Sequence, residues 1–332
     1  MATRPAAPTT RPKPAHTAQG VRVSDYTVDG AAVLVRAQQE WRRTADLEQR
    51  RAQQTLEFAD GPIGIAQLAD QHLGDHGTDY DRIFEDARLI AETDGLYAGT
   101  LGDVVNNFII LKLAHARAGS HITIPEELAL AREYLRLIGP KLLYAVGGNH
   151  DWWTAKMAGI DYFADVLASV NPDVLYDQDD SHITLRVAGA AWRLRLRHKW
   201  RGNSIYNPTH GIERAHKWDH DFDLGVGAHT HESGLARPFN ASGRDGLAVL
   251  CGSYKRVDHY ARQSGFPKAN PSAAVVVIFD PASGTMSGYT DVALAVRVLT
   301  ALRRERHERR QTAKPAARGR DARAGTAAGR RH

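Results

Sequence analysis

Cysteine is almost absent from this sequence, and long apolar runs are missing altogether. Cys251 is the only cysteine in 332 residues, so no disulfide can form within the chain. No apolar run approaches the roughly 20 residues that a membrane-spanning helix needs. The first 20 residues lack the apolar segment of a secretory signal. We therefore expect a cytoplasmic protein that makes no membrane contact and does not depend on an oxidising compartment.

Basic residues outnumber acidic residues, and the excess is concentrated at the two ends of the chain. The formal net charge is +5, from 43 Lys and Arg against 38 Asp and Glu. Residues 303–332 carry eleven basic and three acidic residues, and residues 1–19 carry three basic residues and no acid. The chain between these tails is therefore net acidic.

Both tails are rich in Ala, Pro, Gly and Arg, and we expect the segments 1–19 and 303–332 to be disordered. A solubilising extension is the favoured interpretation of the C-terminal tail. The alternative is a nucleic-acid-binding arm that acts by counterion release.

The middle of the chain divides into a helical extension, 20–58, and one large domain, 59–302. Hydrophobic periodicity predicts a helix over 30–54 and, from residue 60 onward, strands that alternate with helices. A period of two predicts a later hairpin that turns at Ala188-Gly189. The other expected strands are 61–70, 96–100, 141–148, 222–227, 247–251 and 274–280, and the expected helices lie near 80–90, 104–117, 125–138 and 154–169.

Five short polar clusters each follow a strand-like segment. Ligands collect at the carboxyl ends of strands in α/β architectures, so these clusters could converge on one pocket. Their oxygen and imidazole donors, with no thiolate, suit Mn, Fe, Zn or a similar divalent ion. The clusters are Asp70-Gln71-His72, Gly102-Asp103, Gly148-Asn149-His150-Asp151, His198 and His229-Thr230-His231.

Taken singly, each cluster has an ordinary structural explanation. A Gly-Asp pair at a strand end is usually a turn, an H-x-H pair is usually a surface or core pair, and a lone histidine is usually structural. The five clusters in this order, about one strand-helix unit apart, favour a functional site.

In that order the clusters resemble the signature of the calcineurin-like metallophosphoesterases, which is D-x-H, G-D, G-N-H-D/E, a lone H and G-H-x-H. The resemblance covers residues 60–280 and departs at one point, where Ala228 separates Gly227 from His229. It implies a mixed α/β fold, a four-layer αββα sandwich of two mixed β-sheets flanked by helices. The segment 59–302 would be the catalytic domain.

The resemblance also implies two divalent ions, with Mn²⁺ favoured over Fe, Zn or Mg, bridged by Asp103. A metal-activated hydroxide would attack phosphorus in line. His150 would assist the leaving oxygen and Asp151 would orient His150, the alternative for Asp151 being a helix N-cap. The implied ligands of one ion are Asp70, His72, Asp103 and His231, and those of the other are Asp103, Asn149, His198 and His229.

We therefore expect a metal-dependent hydrolase that acts on phosphate esters, with phosphodiesters in nucleic acids or nucleotides favoured. The alternatives are a phosphomonoesterase or protein phosphatase, and a non-catalytic scaffold of the same fold. The expected partner is a phosphate-ester substrate, nucleic acid is a further candidate, and the oligomeric state stays open. Secondary candidates near the site are Lys199, Arg201, Lys255, Arg256, His259, Trp152 and Trp153, for which surface or packing roles are the alternative.

Overall fold

A computed structural model of the chain describes residues 27–110, 117, 120–202, 204–219, 222–238, 245–256, 265 and 272–313. The chain divides into two compact units, residues 1–50 and 51–332. The first unit carries helix α1, Gly30–Arg51. Asp29 caps this helix, since its carboxylate accepts a hydrogen bond of 2.9 Å from the Ala31 N–H. No helix in the described ranges is both long and apolar enough to cross a bilayer.

The second unit contains twelve described strands. They are β1 (Thr55–Phe58), β2 (Ile63–Leu68), β3 (Leu96–Thr100), β4 (Leu142–Val146), β5 (Leu175–Asp177), β6 (Asp180–Val187), β7 (Ala190–Arg197), β8 (Leu224–Gly227), β9 (Gly234–Ala236), β10 (Leu247–Leu250), β11 (Val275–Asp280) and β12 (Thr285–Tyr289). Its described α-helices are α2 (Tyr80–Glu92), α3 (Ile124–Ile138), α4 (Asn149–Ala158), α5 (Tyr162–Val170), α6 (His210–Asp219) and α7 (Val292–Ala313).

The strands form two mixed six-stranded sheets. One sheet has the order β1-β6-β7-β8-β10-β9, and the other has the order β12-β11-β2-β3-β4-β5. Strands β2 to β5 run parallel to one another, and so do β7, β8 and β10. Each parallel set therefore places the carboxyl ends of its strands at a common edge.

Apolar side chains fill three layers of this unit. The largest side chains between the two sheets include Tyr144 and Phe279, and Trp192 packs edge-on against Phe279. A second cluster joins the outer face of the β2–β5 sheet to residues of α2, α3, α5 and α7. A third joins Trp200 and Phe222 to Ile212 on α6. The four-layer αββα sandwich expected from the sequence is confirmed.

The structure corrects the predicted boundaries at both ends of the large domain. Residues 55–58, assigned to the helical extension, form β1, which pairs in parallel with β6. A four-residue edge strand is too short for its alternation to stand out from the preceding helix. The predicted helix 30–54 ends at Arg51. At the other end, residues 303–313, expected to be disordered, continue α7. The tail segments 1–19 and 314–332 lie outside the described residues.

Two predicted helices are also wrong in part. Residues 104–106 do not begin a helix, because their backbone pairs with Leu73: Leu73 N–H donates to Val104 O, and Asn106 N–H donates to Leu73 O. Residues 111–116 of that predicted helix lie outside the described residues. The predicted helix 154–169 is two helices, α4 and α5, separated at Gly159, whose φ of 70° ends α4.

Candidate metal centre

The predicted site residues all follow the carboxyl ends of parallel strands. In one sheet the ends of β2, β3 and β4 lead into Asp70, Asp103 and Asn149. In the other sheet the ends of the neighbouring strands β7 and β8 lead into His198 and His229. The two sheets thus present their polar strand ends to the same place, and the side chains meet in three overlapping groups: Asp70, His72 and His231; His72, Asp103 and His150; and Asp103, His198 and His229.

The first group contains Asp70, His72 and His231. The two Nε2 atoms of the histidines lie 3.0 Å apart. Oδ1 of Asp70 lies 3.5 Å from His231 Nε2 and 3.8 Å from His72 Nε2. Among the described residues this buried oxygen has no hydrogen-bond partner. Three lone-pair-bearing atoms therefore face one point in a buried setting.

The second group contains Asp103, Asn149, His198 and His229. Nε2 of His198 lies 3.2 Å from Oδ2 of Asp103, 3.2 Å from Oδ1 of Asn149 and 3.2 Å from Nδ1 of His229. His198 is oriented from behind, since its Nδ1–H donates to the carbonyl oxygen of Leu101 at 2.6 Å. Its Nε2 is thereby directed toward the other three side chains.

Asp103 lies between the two groups. It belongs with His198 and His229 on one side and with His72 and His150 on the other. Its Oδ1 accepts a hydrogen bond of 2.8 Å from the His150 N–H. The Oδ2 atom is left facing the imidazole rings, at 3.2 Å from His198 and 3.8 Å from His150. This is the position that the family resemblance assigns to a bridging carboxylate.

The backbone at the site is held in an unusual conformation. Seven described non-glycine residues have a positive φ, and five of them are predicted ligands, with values of 50° for Asp70, 48° for His72, 54° for Asp103, 76° for His229 and 60° for His231. A non-glycine residue in this backbone conformation destabilises the fold by on the order of 1–3 kcal/mol, and such residues cluster at functional sites. The surrounding sandwich maintains this strain.

Two glycines allow the loops that carry Asp103 and Asn149 to touch. A Cβ on Gly102 would lie 2.1 Å from the Gly148 nitrogen, and one on Gly148 would lie 2.4 Å from the Asp103 nitrogen. Gly102 also has a φ of 86°. Only glycine fits at this backbone contact, which explains the glycine before Asp103 and before Asn149.

The electrostatics of the centre favour a cation. Burial opposes ionisation of Asp103, but the adjacent His198 and His150 rings hold the pKa of this carboxyl well below its usual value. Burial disfavours a charge on His198, but Asp103 overcomes it and raises the pKa of the ring to about 10. For His229, burial and then the charge on His198 lower the pKa to about 4. The buried carboxylate therefore attracts one positive charge to the second group.

His150 lies beside both groups without being one of the predicted ligands. Its Nδ1–H donates to the Asn106 carbonyl oxygen at 2.5 Å, which leaves Nε2 facing the centre. The ring packs against Trp153 with centroids 4.0 Å apart and edge-on to His72 at 4.7 Å. Burial lowers the pKa of His150, although Asp103 acts in the opposite direction.

Asp151 does not contact the His150 ring, so the expected orienting role is wrong. One carboxylate oxygen accepts hydrogen bonds from the Asp103 N–H at 2.8 Å and the Gly148 N–H at 2.9 Å. The other accepts from Tyr162 Oη at 2.8 Å. Burial, and then the charge on Asp103, raises the pKa of Asp151 to about 7. The residue fixes the backbone of Asp103 from the first turn of α4, which is close to its alternative role at a helix N-terminus.

The residues present fit a divalent-metal site. The donor set is carboxylate, amide and imidazole, and it includes an orphaned buried oxygen and pairs of ring nitrogens directed at each other. Asp70, His72, Asp103 and His231 could hold one ion, and Asp103, Asn149, His198 and His229 a second.

Sequence reasoning missed several residues that support the centre. Asn106 and Asp75 are buried behind His72, and their contacts are described below. The side chain of Asn107 holds the His150 carbonyl oxygen at 2.6 Å. None of them belongs to a periodic pattern; the available signal was the Asn106-Asn107 pair, which interrupts an apolar run shortly after Gly102-Asp103.

The secondary candidates have mixed outcomes. Lys255 is buried and lies 3.0 Å from Asp75, so it is not exposed to substrate. Arg256 pairs with Asp79. Trp152 donates to the Gln178 carbonyl oxygen, a packing role, whereas Trp153 lies against His150. Lys199 and Arg201 are exposed, and His259 lies outside the described residues.

Comparisons with known proteins find similarity at the level of the fold. No family model matches the sequence, and no curated protein matches it. Similar solved structures include a 5'-nucleotidase precursor from Thermus thermophilus, with a TM-score of 0.38, 12% identity and coverage of 76% of this chain and 60% of that one. A metallophosphoesterase from Sphaerobacter thermophilus is also similar, with a TM-score of 0.34, 17% identity and coverage of 74% of this chain and 95% of that one. Vps29 from Entamoeba histolytica has a TM-score of 0.34, 12% identity and coverage of 68% of this chain and 97% of that one.

The two six-stranded sheets form the αββα sandwich that the resemblance to calcineurin-like metallophosphoesterases implies. This chain spans 60% of the length of the 5'-nucleotidase. What the site can do chemically follows from its own geometry.

Proposed function

We propose that this protein is a dinuclear metal-dependent phosphoesterase. The observation that carries the proposal is the convergence of seven donor side chains, Asp103 among them, from five strand ends, with five of the seven at positive φ. A purely structural cluster would have no need for a buried carboxylate oxygen that lacks a hydrogen-bond partner among the described residues, as Oδ1 of Asp70 does, or for five residues at positive φ.

Each residue has a distinct task in the proposed reaction. Divalent ions, when bound, would supply Lewis-acid stabilisation of the phosphoryl charge and water of lowered pKa. The only carboxylates in the ligand set, Asp70 and Asp103, hold the ions, and the neutral amide and imidazole ligands leave surplus positive charge for phosphate. His150, directed at the centre by the Asn106 carbonyl, serves the leaving oxygen as hydrogen-bond or proton donor.

We propose phosphodiesters, in nucleic acids or nucleotides, as the favoured substrates. An imidazole placed beside the centre helps most when the leaving group is a poor alkoxide, as in a nucleic-acid backbone. Trp153 and Phe108 line the same side, with their ring planes 29° apart, and offer apolar surface next to that leaving group. The competing candidate is a phosphomonoesterase with the same centre.

A substrate panel tests the proposal. Purified protein supplied with Mn²⁺ is assayed on p-nitrophenyl phosphate, bis(p-nitrophenyl) phosphate, single-stranded DNA and cyclic nucleotides, with parallel samples in chelator. We expect Mn²⁺-dependent turnover that is fastest on one of the diesters. Turnover confined to the monoester would contradict the diester preference and support the phosphomonoesterase. The absence of turnover on every ester, with Mn²⁺ bound, would contradict the enzymatic proposal altogether.

A further inference from the structure

A chain of buried polar contacts runs outward from the predicted ligand His72. Its Nδ1 lies 3.1 Å from Oδ1 of Asn106, whose Nδ2 lies 3.1 Å from Oδ2 of Asp75. The same Asp75 oxygen lies 3.0 Å from Lys255 Nζ, and the other accepts the Gly77 N–H at 2.8 Å. The four residues that make these contacts are buried, with exposed fractions of 2% for His72, 0% for Asn106, 6% for Asp75 and 8% for Lys255.

Each contact in this chain has only one satisfactory polarity. The Asp75 carboxylate next to the Lys255 ammonium accepts hydrogen bonds and cannot donate them. The Asn106 amide must therefore present its NH₂ group to Asp75, because the flipped amide would place two acceptor oxygens 3.1 Å apart in the interior. The amide oxygen then faces His72, so that His72 must donate its Nδ1–H. Its Nε2 is left with a lone pair, directed at Asp70 and His231.

We propose that Asn106, oriented by Asp75 and Lys255, is a positioning residue that fixes the tautomer of His72 and thereby sets the affinity of the metal centre. The ion pair at the far end orients the amide, the amide orients the ring, and the ring presents Nε2 to a metal ion. Partners of this kind behind a ligand histidine typically change metal affinity about 10- to 100-fold.

Asn106 also contacts His150, but through a different atom. The His150 Nδ1–H donates to the backbone carbonyl of Asn106, which any residue at position 106 retains. Replacing the side chain should therefore release His72 and leave His150 in place. The His150 ring therefore serves as an internal reference for the His72 ring in the same molecule.

The test combines ring spectroscopy with metal affinity in the full chain. Long-range ¹H–¹⁵N spectra of ¹⁵N-histidine-labelled, metal-free protein report which ring nitrogen carries the proton, and Mn²⁺ titration calorimetry gives the dissociation constant. In the wild type we expect the Nδ1–H tautomer for both His72 and His150. In Asn106→Leu we expect His72 to lose that preference, His150 to keep it, and the Mn²⁺ dissociation constant to rise about 10- to 100-fold.

Two further variants separate positioning from stability. Asp75→Asn lets the Asn106 amide turn, so it should weaken Mn²⁺ binding in the same direction. Tyr144→Phe removes another buried hydrogen bond, from Tyr144 Oη to Gln67 at 2.7 Å, without touching His72, and should leave the Mn²⁺ affinity unchanged.

An Nε2–H tautomer of His72 in the wild type would overturn the proposal even if no variant folds. Wild-type Mn²⁺ affinity in a folded Asn106→Leu protein would also overturn it. The inference rests on the metal-binding part of the proposed function only. A protein that binds Mn²⁺ with these properties and hydrolyses no ester would contradict the proposed activity and leave the role of Asn106 intact.

Discussion

At the scale of single residues, Asp103 connects the two halves of the centre. Its Oδ1 is occupied by the His150 N–H, its backbone N–H is held by Asp151, and its Oδ2 faces His198. With a φ of 54° it stands in a conformation that the neighbouring glycines and Asp151 impose. Asp103 thus combines a negative charge, a place between the two ligand groups and a strained backbone conformation.

Replacing Asp103 by Asn tests whether the carboxylate holds the metal. The amide keeps the size of the side chain but removes the negative charge shared by both groups. We expect bound Mn²⁺, measured by elemental analysis after gel filtration, to fall to at most half of the wild-type content. Turnover should fall by about 10³-fold. A variant with full Mn²⁺ content would contradict the bridging role.

Replacing His150 by Ala should separate metal binding from rate. The hydrogen bond from His150 to Asp103 comes from the backbone N–H, which alanine retains, and the ring is not one of the predicted ligands, so the Mn²⁺ content should be unchanged. Turnover should fall by about 10²- to 10⁴-fold on alkyl esters, because the leaving oxygen loses its donor, and less on nitrophenyl esters. His307→Ala, an exposed histidine on α7, is the matched control. Undiminished hydrolysis of alkyl esters by the His150 variant would exclude this role.

At the scale of elements, the loop after β3 is held by the start of α3. Glu127, in the first turn of α3, accepts a hydrogen bond of 2.8 Å from the Asn107 N–H. Asn107 in turn holds the His150 carbonyl and Thr154 on α4. Burial raises the pKa of Glu127 from 4.5 to about 7, although the Asn107 hydrogen bond acts against it. A single buried carboxyl thus links α3, this loop and α4.

The raised pKa of Glu127 makes stability depend on pH in a defined direction. The folded state holds this proton more tightly than the unfolded state, so its contribution is fully present below pH 4.5 and is lost as the pH rises through about 7. Replacing Glu127 by Gln keeps an acceptor for Asn107 and removes the titration. The variant should gain up to about 3 kcal/mol relative to the wild type between pH 5 and pH 8.

Urea unfolding at both pH values measures this difference. Parallel pH profiles for the two proteins would show that Glu127 does not titrate as its surroundings indicate.

The elements also show what the sequence could and could not predict. The β6–β7 hairpin has clear period-two alternation and the buried parallel strands are short apolar runs, so the strand ends that carry the five polar clusters could be predicted. The path of residues 104–106 could not be predicted, because Val104 and Val105 begin a segment that suits a helix, whereas the backbone of 104–106 pairs with Leu73. Asn106 and Asp75 were missed for a related reason, since their contacts join positions 31 to 34 residues apart.

At the scale of the unit formed by residues 51–332, α7 is attached by charge as well as by packing. Arg303 pairs with Asp94, and Arg306 and Arg310 both pair with Asp60. The basic residues of the expected tail therefore include three that bind acidic groups of the domain. Residues 303–313 thus belong to α7, and the solubilising or nucleic-acid-binding role stays a prediction for residues 314–332.

Two truncations separate these roles. Deleting 314–332 removes six basic residues and one acid but spares the ion pairs, so we expect unchanged melting and unchanged turnover on small esters. Deleting 303–332 should lower the melting temperature by about 3–8 °C. If the shorter deletion weakens turnover on DNA but not on small esters, the tail binds substrate and the solubilising interpretation is wrong.

The central claim is that the converging side chains form a two-ion centre that the reaction requires. The most direct measurement is removal of metal by chelator and dialysis, followed by Mn²⁺ titration of turnover on bis(p-nitrophenyl) phosphate or the best substrate found. We predict an inactive metal-free protein whose turnover returns with added Mn²⁺ and reaches a plateau at two ions per chain. Full turnover in the dialysed protein with chelator present would contradict the account.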